Sequence, residues 1–203
     1  TAAWQDQVSC AICENCHGSE TKGFLESRHG MRLTVSLPPM QPEFARLPMH
    51  ADAHHKEMKC NACHKAHQDD TQAAAVDACL SCHNDEHINA YKQSKHYGLW
   101  LAEIKGDAPQ GSGESCATCH LPRVESGSKV KVEHNQNANL RPVEKMARSV
   151  CQSCHGLQFT LDALCDPKMK SNCYEGRPAV HVESLDMVQR WFESKGRKLR
   201  DKN

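Results

Sequence analysis

Apolar positions are sparse along this chain, and where they recur the period is helical. Between Val182 and Leu199, Leu185, Val188, Trp191 and Phe192 fall near one face, which predicts an amphipathic helix. Residues 84–104 hold no proline and few β-branched residues and also read as helix. The one extended pattern is the alternation Lys129-Val130-Lys131-Val132. Loop signals separate these pieces. Leu37-Pro38-Pro39 through Pro48 holds four prolines, residues 106–115 contain Pro109, Gly111 and Gly113, and Ser126-Gly127-Ser128 is a third break. The pattern predicts a mainly α chain with little regular β.

Composition changes that picture in one respect. The chain has 203 residues, enough for one or two domains, but is only 38% hydrophobic and 5% aromatic. Such a chain struggles to build an ordinary core. Charge is balanced, with 25 Lys+Arg against 25 Asp+Glu. No basic patch of the nucleic-acid-binding kind is present, and no apolar run approaches transmembrane length.

Cysteine usage resolves the shortage of core. Ten of the 13 cysteines lie in five copies of Cys-x-x-Cys-His: Cys13-Cys16-His17, Cys60-Cys63-His64, Cys79-Cys82-His83, Cys116-Cys119-His120 and Cys151-Cys154-His155. This is the attachment signature of c-type haem. Residues three and four apart share one face of a helical turn, so two thiols can meet the vinyl groups of one porphyrin while the histidine rises beneath its iron. Five copies predict five covalently bound haem c groups, with His17, His64, His83, His120 and His155 as proximal ligands. The expected fold is a multihaem cytochrome c, loops and helices wrapped around five covalent haems that supply much of the buried apolar surface. Ligation free energy then becomes folding free energy, and the haem-free chain is expected to be largely unfolded. The porphyrin propionates would make the loaded protein acidic. Covalent haem attachment occurs outside the cytoplasm, which predicts a bacterial periplasmic location, with Thr1-Ala2-Ala3 resembling the start of a chain after signal removal.

Cys10, Cys165 and Cys173 stand outside the motifs. In an oxidising compartment a Cys165–Cys173 disulfide is plausible, against inert buried thiols. The motifs do not recur at fixed spacing, so the chain is no tandem array.

Nine histidines lie outside the motifs: His29, His50, His54, His55, His67, His87, His96, His134 and His181. Five irons need at most five distal ligands, so the excess predicts bis-histidine haems of low potential, without the Met ligand that raises it. The candidates are His29 in Ser27-Arg28-His29-Gly30, His96 in Ser94-Lys95-His96-Tyr97-Gly98, His134 in Val132-Glu133-His134-Asn135, and His67, which helical spacing places on the face of His64. His54 and His55 are weaker candidates. A surface histidine is the alternative for each.

From the second motif onward the chain resembles the octahaem hydroxylamine oxidoreductases. The resemblance runs through Cys60-Asn-Ala-Cys-His-Lys-Ala-His67, Cys79-Leu-Ser-Cys-His83 and Asp85-Glu86-His87. It continues through Tyr91-Lys-Gln-Ser-Lys-His96, Cys116-Ala-Thr-Cys-His-Leu-Pro122, His134 with Leu140-Arg141-Pro142, and Cys151-Gln-Ser-Cys-His155. It implies that the haem on His64 has an open distal side faced by an acid–histidine pair, here Glu86 and His87, and it implies a trimer. Glu86 replaces the family's Asp. Tyr91, Tyr97 and Tyr174 offer no match for the tyrosine that cross-links the catalytic haem in oxidising members, which implies reduction of hydroxylamine or nitrite. His87 stays open between two roles, pocket acid/base and iron ligand.

Two functions follow. One is an enzyme that conducts electrons through bis-His haems to an open haem reacting with hydroxylamine or nitrite in the reductive direction. The other is an electron carrier with five bis-His haems. Either needs redox donors and acceptors, cytochrome or quinol-linked. A thiol-redox or metal-binding reading fails because each Cys pair carries its own histidine. The expected organisation is a pentahaem domain over 1–160, with 60–160 carrying the resemblance, and a C-terminal segment 161–203 whose helix serves its own subunit or another.

Overall fold

The computed structural model describes residues 8–54, 56–68 and 72–196. Short helices and loops dominate, as the proline- and glycine-punctuated sequence predicts. The longest helices are Lys95–Lys105 and Ser184–Ser194. The two-stranded antiparallel sheet pairs β1 (Arg123–Ser126) with β2 (Lys129–Val132), Arg123 opposite Val132. Gly127, at φ 62°, makes its tight turn.

The helical stretch expected over residues 84–104 is two helices, Glu86–Gln93 and Lys95–Lys105. Ser94 makes the break. Its backbone is extended, and its hydroxyl donates to the Tyr91 carbonyl while accepting from the Tyr97 N–H, so one residue closes the first helix and caps the second. The C-terminal helix begins at Ser184, later than the pattern suggested, and residues from 197 onward lie outside the described residues.

Buried apolar residues are few. Among the described residues, a cluster of buried side chains joins Met146, Val150 and Leu164, with Cys119, Cys151 and Tyr174 packed against it. Its neighbours are held by carboxylates that serve as backbone acceptors. Asp166 caps the helix Pro167–Ser171 and also accepts from the Ala179 N–H at 2.8 Å, which holds its carboxyl below the usual carboxylate range. Val124, Val130, Leu37, Leu47 and Met31 all remain exposed. Among the described residues no helix is long and apolar enough to cross a membrane.

Candidate haem sites

Each attachment motif folds as a single tight turn. The histidine N–H donates to the carbonyl of the first cysteine in His17 (2.8 Å), His64 (3.1 Å), His83 (3.0 Å) and His155 (2.9 Å). The fourth motif is the helix Cys116–His120, started by a capping box in which Ser115 and Thr118 satisfy each other's backbone N–H groups. Both thiols and the imidazole therefore project from one side of every turn.

Four of these histidines face a second imidazole from a distant part of the chain. The ring centroids of His64 and His134 are 6.2 Å apart, those of His83 and His29 6.2 Å, those of His120 and His87 6.1 Å, and those of His155 and His96 6.2 Å. Direct aromatic contact spans a range that includes this value, so one such pair means little. Four pairs at one separation, each matching a motif histidine with a non-motif histidine, mean more. Two metal–imidazole bonds of about 2 Å, plus the distance from each nitrogen to its ring centre, put the centroids roughly 6 Å apart. The contact between His155 and Phe159, stacked at 4.7 Å, shows how much closer rings with nothing between them come.

The surroundings of the second imidazoles also fit a metal. The Nδ1 of His134 lies 2.9 Å from the Val132 carbonyl at the end of β2, so Nδ1–H donates there and Nε2 is left as the ligating atom. Gln136 lies against the His29 Nδ1 at 3.2 Å, while its buried amide oxygen has no partner. Turning the amide end over puts that oxygen on the Nδ1–H and again frees Nε2. Burial drives the His29 and His120 pKa values down to about 4, and lowers those of His64, His83 and His96. The neutral imidazole, the form that binds metal, is thereby favoured.

Local sequence explains how the partners are aimed. Ser27 is fully buried, and its hydroxyl accepts from the N–H groups of His29 and Gly30. A Cβ on Gly30 would run into the Phe24 carbonyl. Ser94, two residues before His96, caps the next helix by accepting from the Tyr97 N–H. Asp85 caps the helix that presents His87, accepting from the Ile88 N–H at 3.1 Å.

Several expectations are corrected. His87 does not stand over His64. Its ring faces His120, and the ring facing His64 belongs to His134. Glu86 is exposed on the first turn of its helix, and it is Asp85 that lies within electrostatic reach of His83 and His120. His67 is not on a helical face with His64, because the turn ends and His67 takes a left-handed conformation, φ 56°, at the surface. Among the described residues no histidine ring faces His67 or His17. His54 is exposed, with its Nδ1 on the Ala51 carbonyl at 2.8 Å, and His55 lies outside the described residues. Cys165 and Cys173 form no disulfide: Cys165 is exposed, and Cys173 sits with its sulfur 3.7 Å from the His87 Nε2. Cys10 lies 3.7 Å from Cys60, sulfur to sulfur. Sequence reasoning gave the acidic role to Glu86 rather than its neighbour Asp85, and it missed Gln136, which carries no signal that separates it from an ordinary surface residue.

The family model described as "Cytochrome c554 and c-prime" matches residues 12–77. That stretch holds the first two motifs and His29, and overlaps the hydroxylamine oxidoreductase resemblance only at its start. The match supports a c-type cytochrome and not that resemblance. No curated protein and no solved structure matches the chain. The attachment motifs, the imidazole pairs and the family match agree on a c-type cytochrome with covalent haem c, working in electron transfer.

Proposed function

We propose that this protein is a periplasmic pentahaem electron carrier in which the irons on His64, His83, His120 and His155 are closed on both faces by histidine. The single observation that carries the reading is that His134 stands opposite His64. The enzymatic alternative needs an open face there for hydroxylamine or nitrite, and a ring 6.2 Å from that of His64 would close that face once an iron lay between them. The His87 ring, assigned by that alternative to acid–base work, faces His120 instead.

The residues divide the work simply. The ten motif cysteines would form the thioether bonds, and the five motif histidines would hold the irons from one face. His29, His134, His87 and His96 would hold four of them from the other. Bound haem c would supply one-electron exchange at low potential, since both axial ligands are imidazole. Gln136 and the Val132 carbonyl fix the tautomers of His29 and His134, and burial favours the neutral imidazole at His29, His64, His83, His96 and His120. One electron enters from a donor protein and one leaves to an acceptor protein, with no bond made and no proton required.

Electron paramagnetic resonance of the oxidised protein, with carbon monoxide binding to the reduced protein as a check, tests the reading. Low-spin signals unmoved by hydroxylamine, and no carbon monoxide binding, are expected at the His64, His83, His120 and His155 sites. A high-spin signal at the His64 site that hydroxylamine perturbs would overturn the carrier in favour of the enzyme.

A further inference from the structure

Every motif touches the one that follows it in sequence. Between the first and second, the side chain of Cys13 meets Cys60, and His17 lies within electrostatic reach of His64. Between the second and third, Cys63 lies near Cys79 and Cys82. The segment leading into the second motif also runs along the third: the His50 N–H donates to the Cys82 carbonyl at 2.9 Å, and Lys56 Nζ to the Ser81 carbonyl at 3.3 Å. Between the third and fourth, Cys79 and Cys116 are in sulfur contact, His29 and His83 both neighbour His120, and the helix Cys116–His120 packs on residues 73–77. Between the fourth and fifth, Cys119 and Cys151 pack on the same buried cluster of Met146, Val150 and Leu164. The Asn139 amide joins this junction, donating to the Cys119 carbonyl at 2.6 Å and accepting from the Ser149 hydroxyl.

Among the described residues none of these contacts skips a motif. Exposure marks the ends independently. Of the ten motif cysteines, Cys16 in the first and Cys154 in the last are the exposed ones, and the other eight are partly covered.

We propose that the five attachment sites stand in single file in the order of the sequence, with the His17 and His155 sites as the two ends. Sites that are not neighbours then communicate only through those between them. The order rests on the reading that each motif carries a haem, but it does not depend on whether every iron is closed.

His29→Met tests it in the intact, haem-loaded protein. Methionine in place of the imidazole facing His83 raises the potential of that site, so it takes the first electron. The readout is the site-resolved shift of haem methyl resonances through a reductive titration. Added negative charge at the third site should lower the potentials of the His64 and His120 sites and leave the His17 and His155 sites unmoved, because the effect falls off with distance and screening. A shift at either end as large as that at the neighbours, or none at His64, would overturn the single file. His96→Met is the second variant, should His29→Met fail to load: only the His120 site should respond, and a response at His64 or His17 would overturn the order. An open iron in the parent protein, seen by resonance or carbon monoxide, would sink the carrier reading while leaving this pattern to stand or fall by itself.

Discussion

His134 reaches His64 from the foot of a hairpin far along the chain, and the two rings stand 6.2 Å apart. β1 and β2 exist in a chain with almost no other sheet, and the last carbonyl but one before His134, that of Val132, takes the imidazole Nδ1–H. The hairpin acts as an arm that holds one ligand.

His134→Ala should therefore open one iron. The expected outcome is one new high-spin signal in the oxidised protein, and carbon monoxide binding at one site after reduction. An unchanged low-spin spectrum would mean that another group closes the His64 site.

His87→Ala separates the two roles of that histidine. With its ring facing His120, its loss should also give a high-spin site, whereas Glu86→Gln should change nothing, because Glu86 is exposed. If His87→Ala instead kept every site low-spin and depressed hydroxylamine turnover, the pocket role would be restored.

Gly30→Ala should destabilise the protein by about 1–3 kcal/mol, the usual range for overpacking. The added Cβ meets the Phe24 carbonyl, which cannot rotate away, and the turn that aims His29 must shift. Thermal melting followed in the Soret band measures the loss. Ser27→Ala, which strips the N–H groups of His29 and Gly30 of their buried acceptor, should act in the same direction.

Detachment of the C-terminal helix should follow pH. His181 donates to Asp186 at 2.8 Å and lies 3.5 Å from Asp162, and the hydrogen bond to Asp186 raises its pKa above the ordinary value of 6.5. A raised pKa means that the stabilisation is full below 6.5 and is lost as pH rises through the folded-state value. At Asp162 burial works against the charge, but hydrogen bonds from Val182, Gln158 and His181 outweigh it and lower the pKa, so that contribution is lost only as pH falls below 3.8. Amide protection over residues 182–194, measured against the intrinsic exchange rate at the same pH, should be greatest between these limits and fall above them. Protection that does not change across pH 6–8 would dismiss the latch.

The attachment sites were legible in the sequence because their spacing is local: a thiol, a thiol and an imidazole on one turn need no tertiary information. His29 and His96 were legible for a related reason, since a serine two residues ahead sets each turn. His134 stood out in the sequence as a candidate ligand, but not as the ring opposite His64, because only the fold brings a hairpin from beyond the fourth motif onto the second. His67 misled for the opposite reason. Helical spacing was assumed to continue past His64, but the second motif is a single turn and the chain reverses at a left-handed residue. The break at Ser94 was missed because no proline or glycine marks it; a serine bonded to both helices suffices.

The arm that carries His134 also sets a timetable. The second motif lies far ahead of His134 in the sequence, so on the carrier reading its thiols would be open to haem before the residue that faces His64 had joined them outside the cytoplasm. The His83 site differs, for His29 precedes it and is waiting when its motif arrives. On the carrier reading, a maturing chain would hold a half-coordinated centre at its second motif until the fourth motif and the hairpin had followed it. That interval would be when the centre is most open to stray ligands, and its length would be set by the stretch of chain between His64 and His134.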